Sequence, residues 1–129
     1  MASSNLKVVL PSSLASFYEE SGYCDPSFFE QRRATRLNIR CEAAMCIESS
    51  PANVLRTERN STVLVKDISK RGINVLTHEQ LWPEEILYIR FQCRQIRVRV
   101  VRCRCLGESC WEVGAKIFFF KNLEDDAED

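Results

Sequence analysis

From Leu37 the chain alternates between apolar and polar positions. Leu37, Ile39, Cys41, Ala43, Met45 and Ile47 hold one parity, and Asn38, Arg40, Glu42 and Glu48 the other, with Ala44 and Cys46 as weak exceptions. Period-two alternation of this length predicts a strand with one face on a core and Arg40 on the polar face. Further short strands are predicted at Thr62 to Asp67, Ile73 to Thr77, Ile86 to Phe91, Gln95 to Cys105 and Trp111 to Phe119. The intervening segments carry breakers: Pro51 in the polar stretch Ser49 to Asn60, Gly72 closing Asp67 to Gly72, Pro83 in His78 to Glu84, and Gly107 in the last hairpin. Gly72 is expected to use the positive φ that other residues resist. Six short, regularly spaced strands with few helical patterns predict an all-β, antiparallel barrel or sandwich.

Two details refine this pattern. In the fifth strand Arg97 and Arg99 share one parity whereas Arg102 and Arg104 share the other. That slip predicts either a bulge near Val100-Val101 or a strand end exposed on both faces. The first thirty residues do not read as strand. Ser12 or Ser13 is placed to cap a short helix through Leu14, Phe17 and Tyr18, and Asp25-Pro26 offers a second helical start. The chain thus divides into a partly helical N-terminal extension (1–30), a β-domain (31–120) and an acidic tail (121–129).

At 129 residues the chain fits one domain with its own core. It contains no apolar run of membrane-spanning length, and its first residues lack the charged and apolar regions of a secretory signal, so a cytoplasmic protein is expected. Seven cysteines include no Cys-x-x-Cys pair and accompany a single histidine, His78. This favours reduced core cysteines over zinc or a disulfide framework, and no metal site is expected. Trp82 and Trp111 are expected to pack in the core or against turns rather than to stack on a ligand. No nucleophile–base pair or phosphate loop is evident, so no enzyme is expected.

The zero net charge conceals a division. Residues 1–31 carry one lysine against four acids, and residues 117–129 one lysine against five. Between them, thirteen arginines and three lysines face nine acids. A basic body between acidic ends points to an anionic ligand for the body, against the plainer reading that arginines solvate exposed strand faces.

Two motifs narrow that expectation: Arg32-x-x-x-Arg36, just before the first strand, and Asp67-x-Ser69-x-x-Gly72 after the second. In this order, and followed by Trp111-Glu-Val-Gly-Ala-Lys-Ile-Phe118, they resemble the signature of the PilZ domain over residues 31–119. The resemblance implies a six-stranded antiparallel β-barrel that binds the bacterial second messenger cyclic di-GMP and needs no cofactor. By motif position, Arg32 and Arg36 would grip the ligand, with Arg33 on a phosphate. Asp67 and Ser69 would face guanine, and Gly72 would let the backbone turn beneath it. Arg71 stands where many relatives have a second glycine, and little chain remains for the C-terminal helix common in the family.

The chemistry suits those roles. A guanidinium forks onto guanine O6 and N7 or onto phosphate oxygens, and a carboxylate or hydroxyl accepts from guanine N–H groups. The expected function is a ligand-gated adaptor: the Gln31 to Arg36 segment folds over the nucleotide and presents a new surface to a downstream protein partner. Two other readings compete with it. One is a nucleic-acid-binding barrel using Arg94, Arg97, Arg99, Arg102 and Arg104, although that strand lacks interleaved aromatics. The other is a PilZ-like protein-interaction module that binds no nucleotide.

Overall fold

The computed structural model describes residues 6–14, 17 and 37–122. These residues form strands β1 (Leu37–Ser49), β2 (Asn60–Ile68), β3 (Gly72–Thr77), β4 (Ile86–Phe91), β5 (Arg94–Gly107) and β6 (Cys110–Asn122). The strands close into an antiparallel barrel in the order β1-β2-β3-β6-β5-β4. This settles the choice between barrel and sandwich. Closure removes the free edges that an open sheet exposes to other chains.

Alternation decides what fills the barrel. Ile47, Val65, Val75, Ile89, Val98 and Val113 point inward with their parity mates and form one buried cluster. Each fully buried aliphatic side chain contributes about 1.5–3 kcal/mol of transfer free energy. Strand β3 is buried at every position, because it is covered on both faces. Its outward Leu76, with Leu64 of β2 and Cys110 of β6, packs under Val8 and Phe17 of the N-terminal segment, flanked by Leu6, Leu10 and Leu14.

The helix expected through Leu14, Phe17 and Tyr18 lies only partly within the described residues. Ser12–Leu14 forms a single 3-10 turn, with the Leu14 N–H donating to Pro11 O at 2.8 Å. Before it the chain runs alongside the barrel: Leu6 bridges Thr62 in parallel, and the Val9 N–H donates to Ser109 O at 3.0 Å. Leu6, Val8 and Leu10 have strand spacing, which suits an apolar sheet face better than helical wrapping does. The second predicted helical start, at Asp25-Pro26, lies outside the described residues.

Among the register shifts of the barrel, two bear on the alternation read from the sequence. The expected slip in β5 is a bulge, with the register shifting between Val100 and Arg102 opposite β6. A second shift falls between Asn38 and Cys41, where Arg40 takes a φ of 36°. Arg40 is consequently buried, with its guanidinium 4.8 Å from the centre of the Phe17 ring, and not on a solvated face as the alternation implied. Among the described residues no glycine has a positive φ, so the expectation for Gly72 is also corrected.

The loops after β1 and β3 are fastened by a buried carboxylate. Glu85 accepts from Arg56 Nε at 2.9 Å, from Ser50 Oγ at 2.6 Å and from the Trp82 N–H at 2.7 Å. Burial alone would raise the Glu85 pKa, but the bonds from Arg56, Ser50 and the Trp82 N–H outweigh it and hold the carboxyl below its ordinary value. Because the folded pKa is depressed, this contribution to stability is complete above the unfolded value of about 4.3 and is lost as pH falls through the folded one. Glu85→Ala leaves Arg56 with Glu79, at 3.4 Å, as its remaining carboxylate partner. Chemical denaturation at neutral pH is expected to show a loss of about 3–5 kcal/mol, largely recovered when Arg56→Met is added.

Candidate functional site

The Asp-x-Ser-x-x-Gly segment is the β2–β3 turn. Ile68 ends β2 and Gly72 begins β3, so Ser69, Lys70 and Arg71 make the reversal. The Ser69 N–H donates to Gly72 O at 2.8 Å, and the Gly72 N–H returns a bond to Ser69 Oγ at 3.2 Å. Serine is required here because its hydroxyl accepts a backbone N–H within its own turn. Arg71 is held by its carbonyl, which accepts the Ile117 N–H of β6 at 2.9 Å and leaves the Arg71 side chain exposed.

Asp67 lies at the end of β2, buried to 8% exposure, and accepts from Asn74 Nδ2 at 2.9 Å across the β2–β3 pair. The structure therefore brings Asp67, Ser69 and Gly72 together at one end of the barrel wall. Arg32, Arg33 and Arg36 lie outside the described residues. Their covalent neighbour Leu37 is nonetheless placed: it pairs with Ile68, and Asn38 pairs with Asp67.

Pairing also joins residues that no motif linked. One row of partners crosses five strands: Asn38 with Asp67, Asp67 with Asn74, Asn74 with Gly114, and Gly114 with Arg102. In the next outward row Gly72 faces Lys116, which faces Arg99. A depression of about 290 Å³ beside the turn is lined by Ser69, Arg71, Gly72, Val101, Arg102, Gly114, Ala115 and Lys116. In the sequence Arg102 stood out only as one of the β5 arginines of the nucleic-acid alternative, and Gly114 and Lys116 only as part of the Trp111 to Phe118 segment. Asn74 was a lone amide inside the apolar run Ile73 to Leu76. Its Nδ2 holds Asp67, while its buried Oδ1 has no hydrogen-bond partner among the described residues.

The cations along this wall differ in their partners. Arg97 pairs with Glu48 at 2.9 Å, Arg99 with Glu84 at 3.6 Å, and Arg104 with Glu112 at 2.8 Å. Burial would raise the Glu112 pKa, but hydrogen bonds from Lys66 and Arg104 keep it lowered and ionised. Arg71, Arg102 and Lys116 make no ion pair among the described residues, so the depression is the part of this wall with uncompensated positive charge.

Other features suit chemistry less well. Glu58, His78 and Glu79 have ligand-type atoms within 4.8 Å of one another. Lys7 already pairs with Glu58 at 2.9 Å and Arg56 with Glu79 at 3.4 Å, and both cations oppose a metal ion there. Burial pushes the Cys103 and Cys110 thiols up, away from the reactive thiolate. Trp82, expected to pack, is 44% exposed on a separate shallow surface with Pro51, Val54 and Pro83. A larger depression, of about 480 Å³, lies where β1, β2 and β4 meet and contains none of the motif residues. Among the described residues no helix is long and apolar enough to cross a membrane.

No protein-family model matches the chain, and no curated protein matches it in sequence. The functional reading rests on the geometry of the β2–β3 turn and on the motif resemblance.

Proposed function

We propose that this protein is a cyclic di-GMP-binding sensor that passes ligand occupancy to a partner protein, as its resemblance to PilZ domains implies. The observation that carries the reading is the pairing of the first residues of β1 with the end of β2. Because Leu37 faces Ile68, Arg36 is one peptide bond away from the strand pair that ends in the Asp67 to Gly72 turn. The arginine motif is thereby joined, through Leu37, to the strand that carries the Asp67 to Gly72 turn.

Each group has a role in this reading. Arg32 and Arg36 fork onto guanine or phosphate, and Arg33 adds a phosphate contact. Asp67, held in place by Asn74, is a carboxylate acceptor of the kind that guanine N–H donors require. Ser69 and Gly72 fix the turn backbone on which the base rests. Charge-assisted hydrogen bonds contribute roughly 1.5–3 kcal/mol each, so three or four of them support micromolar binding. Binding draws the arginine segment onto the barrel and changes the surface offered to the partner. No step requires a metal, a cofactor or a catalytic residue.

A second reading, single-stranded nucleic acid, is favoured by one observation. Phe118 of β6 stands between Arg97 and Arg99 of β5, with guanidinium carbons 5.4 and 5.8 Å from its ring centre. The aromatic residue missing from β5 is thus supplied by its neighbour, in the interleaving that strand-binding barrels use.

Two predictions follow from these readings. In calorimetric titrations with cyclic di-GMP, Arg32→Ala and Arg36→Ala are each expected to abolish binding and leave the melting temperature unchanged, because both precede the first barrel strand in sequence. Unchanged affinity in both variants sinks the assignment. In the second test a mixed-sequence single-stranded RNA is titrated at increasing salt. The sensor reading predicts no tight complex, whereas tight binding that falls steeply with salt and is weakened by Phe118→Ala establishes the nucleic-acid reading.

A further inference from the structure

We infer that the ligand site continues past the β2–β3 turn across β6 onto β5, where Arg102 is a base-stacking platform and Lys116 and Arg71 are phosphate contacts. This rests on the proposed cyclic di-GMP reading and says where the second half of that two-fold ligand lies. The depression that holds these residues shares Ser69 and Gly72 with the motif turn, so the two are contiguous. Its volume of about 290 Å³ is at the small end for ligand pockets, which suits one nucleotide half rather than a whole dinucleotide.

Three features of the fold build this surface. The register shift between Val100 and Arg102 turns both Val101 and Arg102 outward, although neighbouring residues of a regular strand face opposite ways. Gly114 then provides the space that Arg102 occupies. A Cβ at position 114 would meet Arg102 Cζ at 3.0 Å and its Cγ and Nε at 3.2 Å. The guanidinium therefore lies against the β6 backbone, and a planar cation lying on a strand presents its other face to a base. Beside it Lys116, paired in register with Gly72, brings an ammonium to the rim of the turn. Arg71 completes the rim from the turn itself.

Charge supports a phosphate ester as the occupant. Arg97, Arg99 and Arg104 of β5 each have a carboxylate partner, whereas Arg71, Arg102 and Lys116 have none among the described residues. Three uncompensated cations around one concavity favour a ligand carrying about one or two negative charges. Asn74, paired in register with Gly114, adds a buried amide at the centre of the row, its Oδ1 without a hydrogen-bond partner among the described residues.

The test is calorimetry of the full-length protein with cyclic di-GMP, using variants matched for melting temperature. Arg102→Ala and Lys116→Ala are each expected to weaken binding about ten- to a hundredfold. Gly114→Val should reproduce the Arg102→Ala loss without changing charge, by displacing the guanidinium. Arg102→Lys should remain weak, because it restores charge but not the plane, whereas Lys116→Arg should bind nearly as wild type. Arg90→Ala, in the separate depression on β4, serves as the control. Wild-type binding that persists unchanged in Arg102→Ala and Lys116→Ala overturns this extension and leaves the motif site standing. An absence of wild-type binding overturns both.

Discussion

Barrel closure is the constraint on which the rest of the structure depends. Once six strands must all be paired, every residue's partner and side are set by register, and only a bulge can alter them. The apolar parity is driven inward by the hydrophobic effect, so whatever shares the opposite parity is displayed together, however far apart it is in sequence. The row from Asn38 through Asp67, Asn74 and Gly114 to Arg102 is produced in this way. No local motif assembles it. The functional groups meet because the core residues beneath them must.

The same constraint separates rigid parts from parts free to respond. Ser69 and Gly72 are locked by reciprocal hydrogen bonds, and Asp67 is tied to Asn74. A ligand bound at this turn would therefore not have to order it. On the adjoining wall, Lys66 and Arg104 are both committed to Glu112, whereas Arg71, Arg102 and Lys116 make no ion pair among the described residues. A polar turn fixed by its own hydrogen bonds thus lies beside the uncompensated charge of the depression.

The alternation in the sequence was sufficient for the strands, because period-two patterning reports directly on burial, and it marked the slip at Val100 without deciding that it is a bulge. It failed at Arg40, where a left-handed residue turns a nominally solvated position under Phe17. Nothing in the local sequence marks that inversion. The Asp67 to Gly72 turn was legible as a motif, but its mechanics were not: Ser69 closes it through its hydroxyl, and the glycine needs no unusual φ. The juxtaposition of Arg102 with Gly114 was illegible for a different reason. Their relation exists only across the β5–β6 ladder and depends on a side chain that is absent, which composition and spacing cannot display. Of the helical signals before residue 31, the described residues hold a 3-10 turn at Ser12–Leu14, set beside an apolar sheet face that favours the strand spacing of Leu6, Val8 and Leu10.

The N-terminal segment bears on how occupancy would be communicated. A closed barrel with a filled core deforms little, so a signal cannot travel through it by large rearrangement. The segment ending at Phe17 is packed on the outer faces of β2, β3 and β6, the strands that also carry the Asp67 to Gly72 turn and Lys116. Phe17 itself lies on Arg40, three residues into β1. Phe17 and β1 therefore fix both ends of residues 18–36 on the barrel, and the entropy cost of closing that length of chain is met by these two anchors. On the proposed sensor reading, a ligand held by Arg32, Arg33 and Arg36 would not have to meet that cost as well.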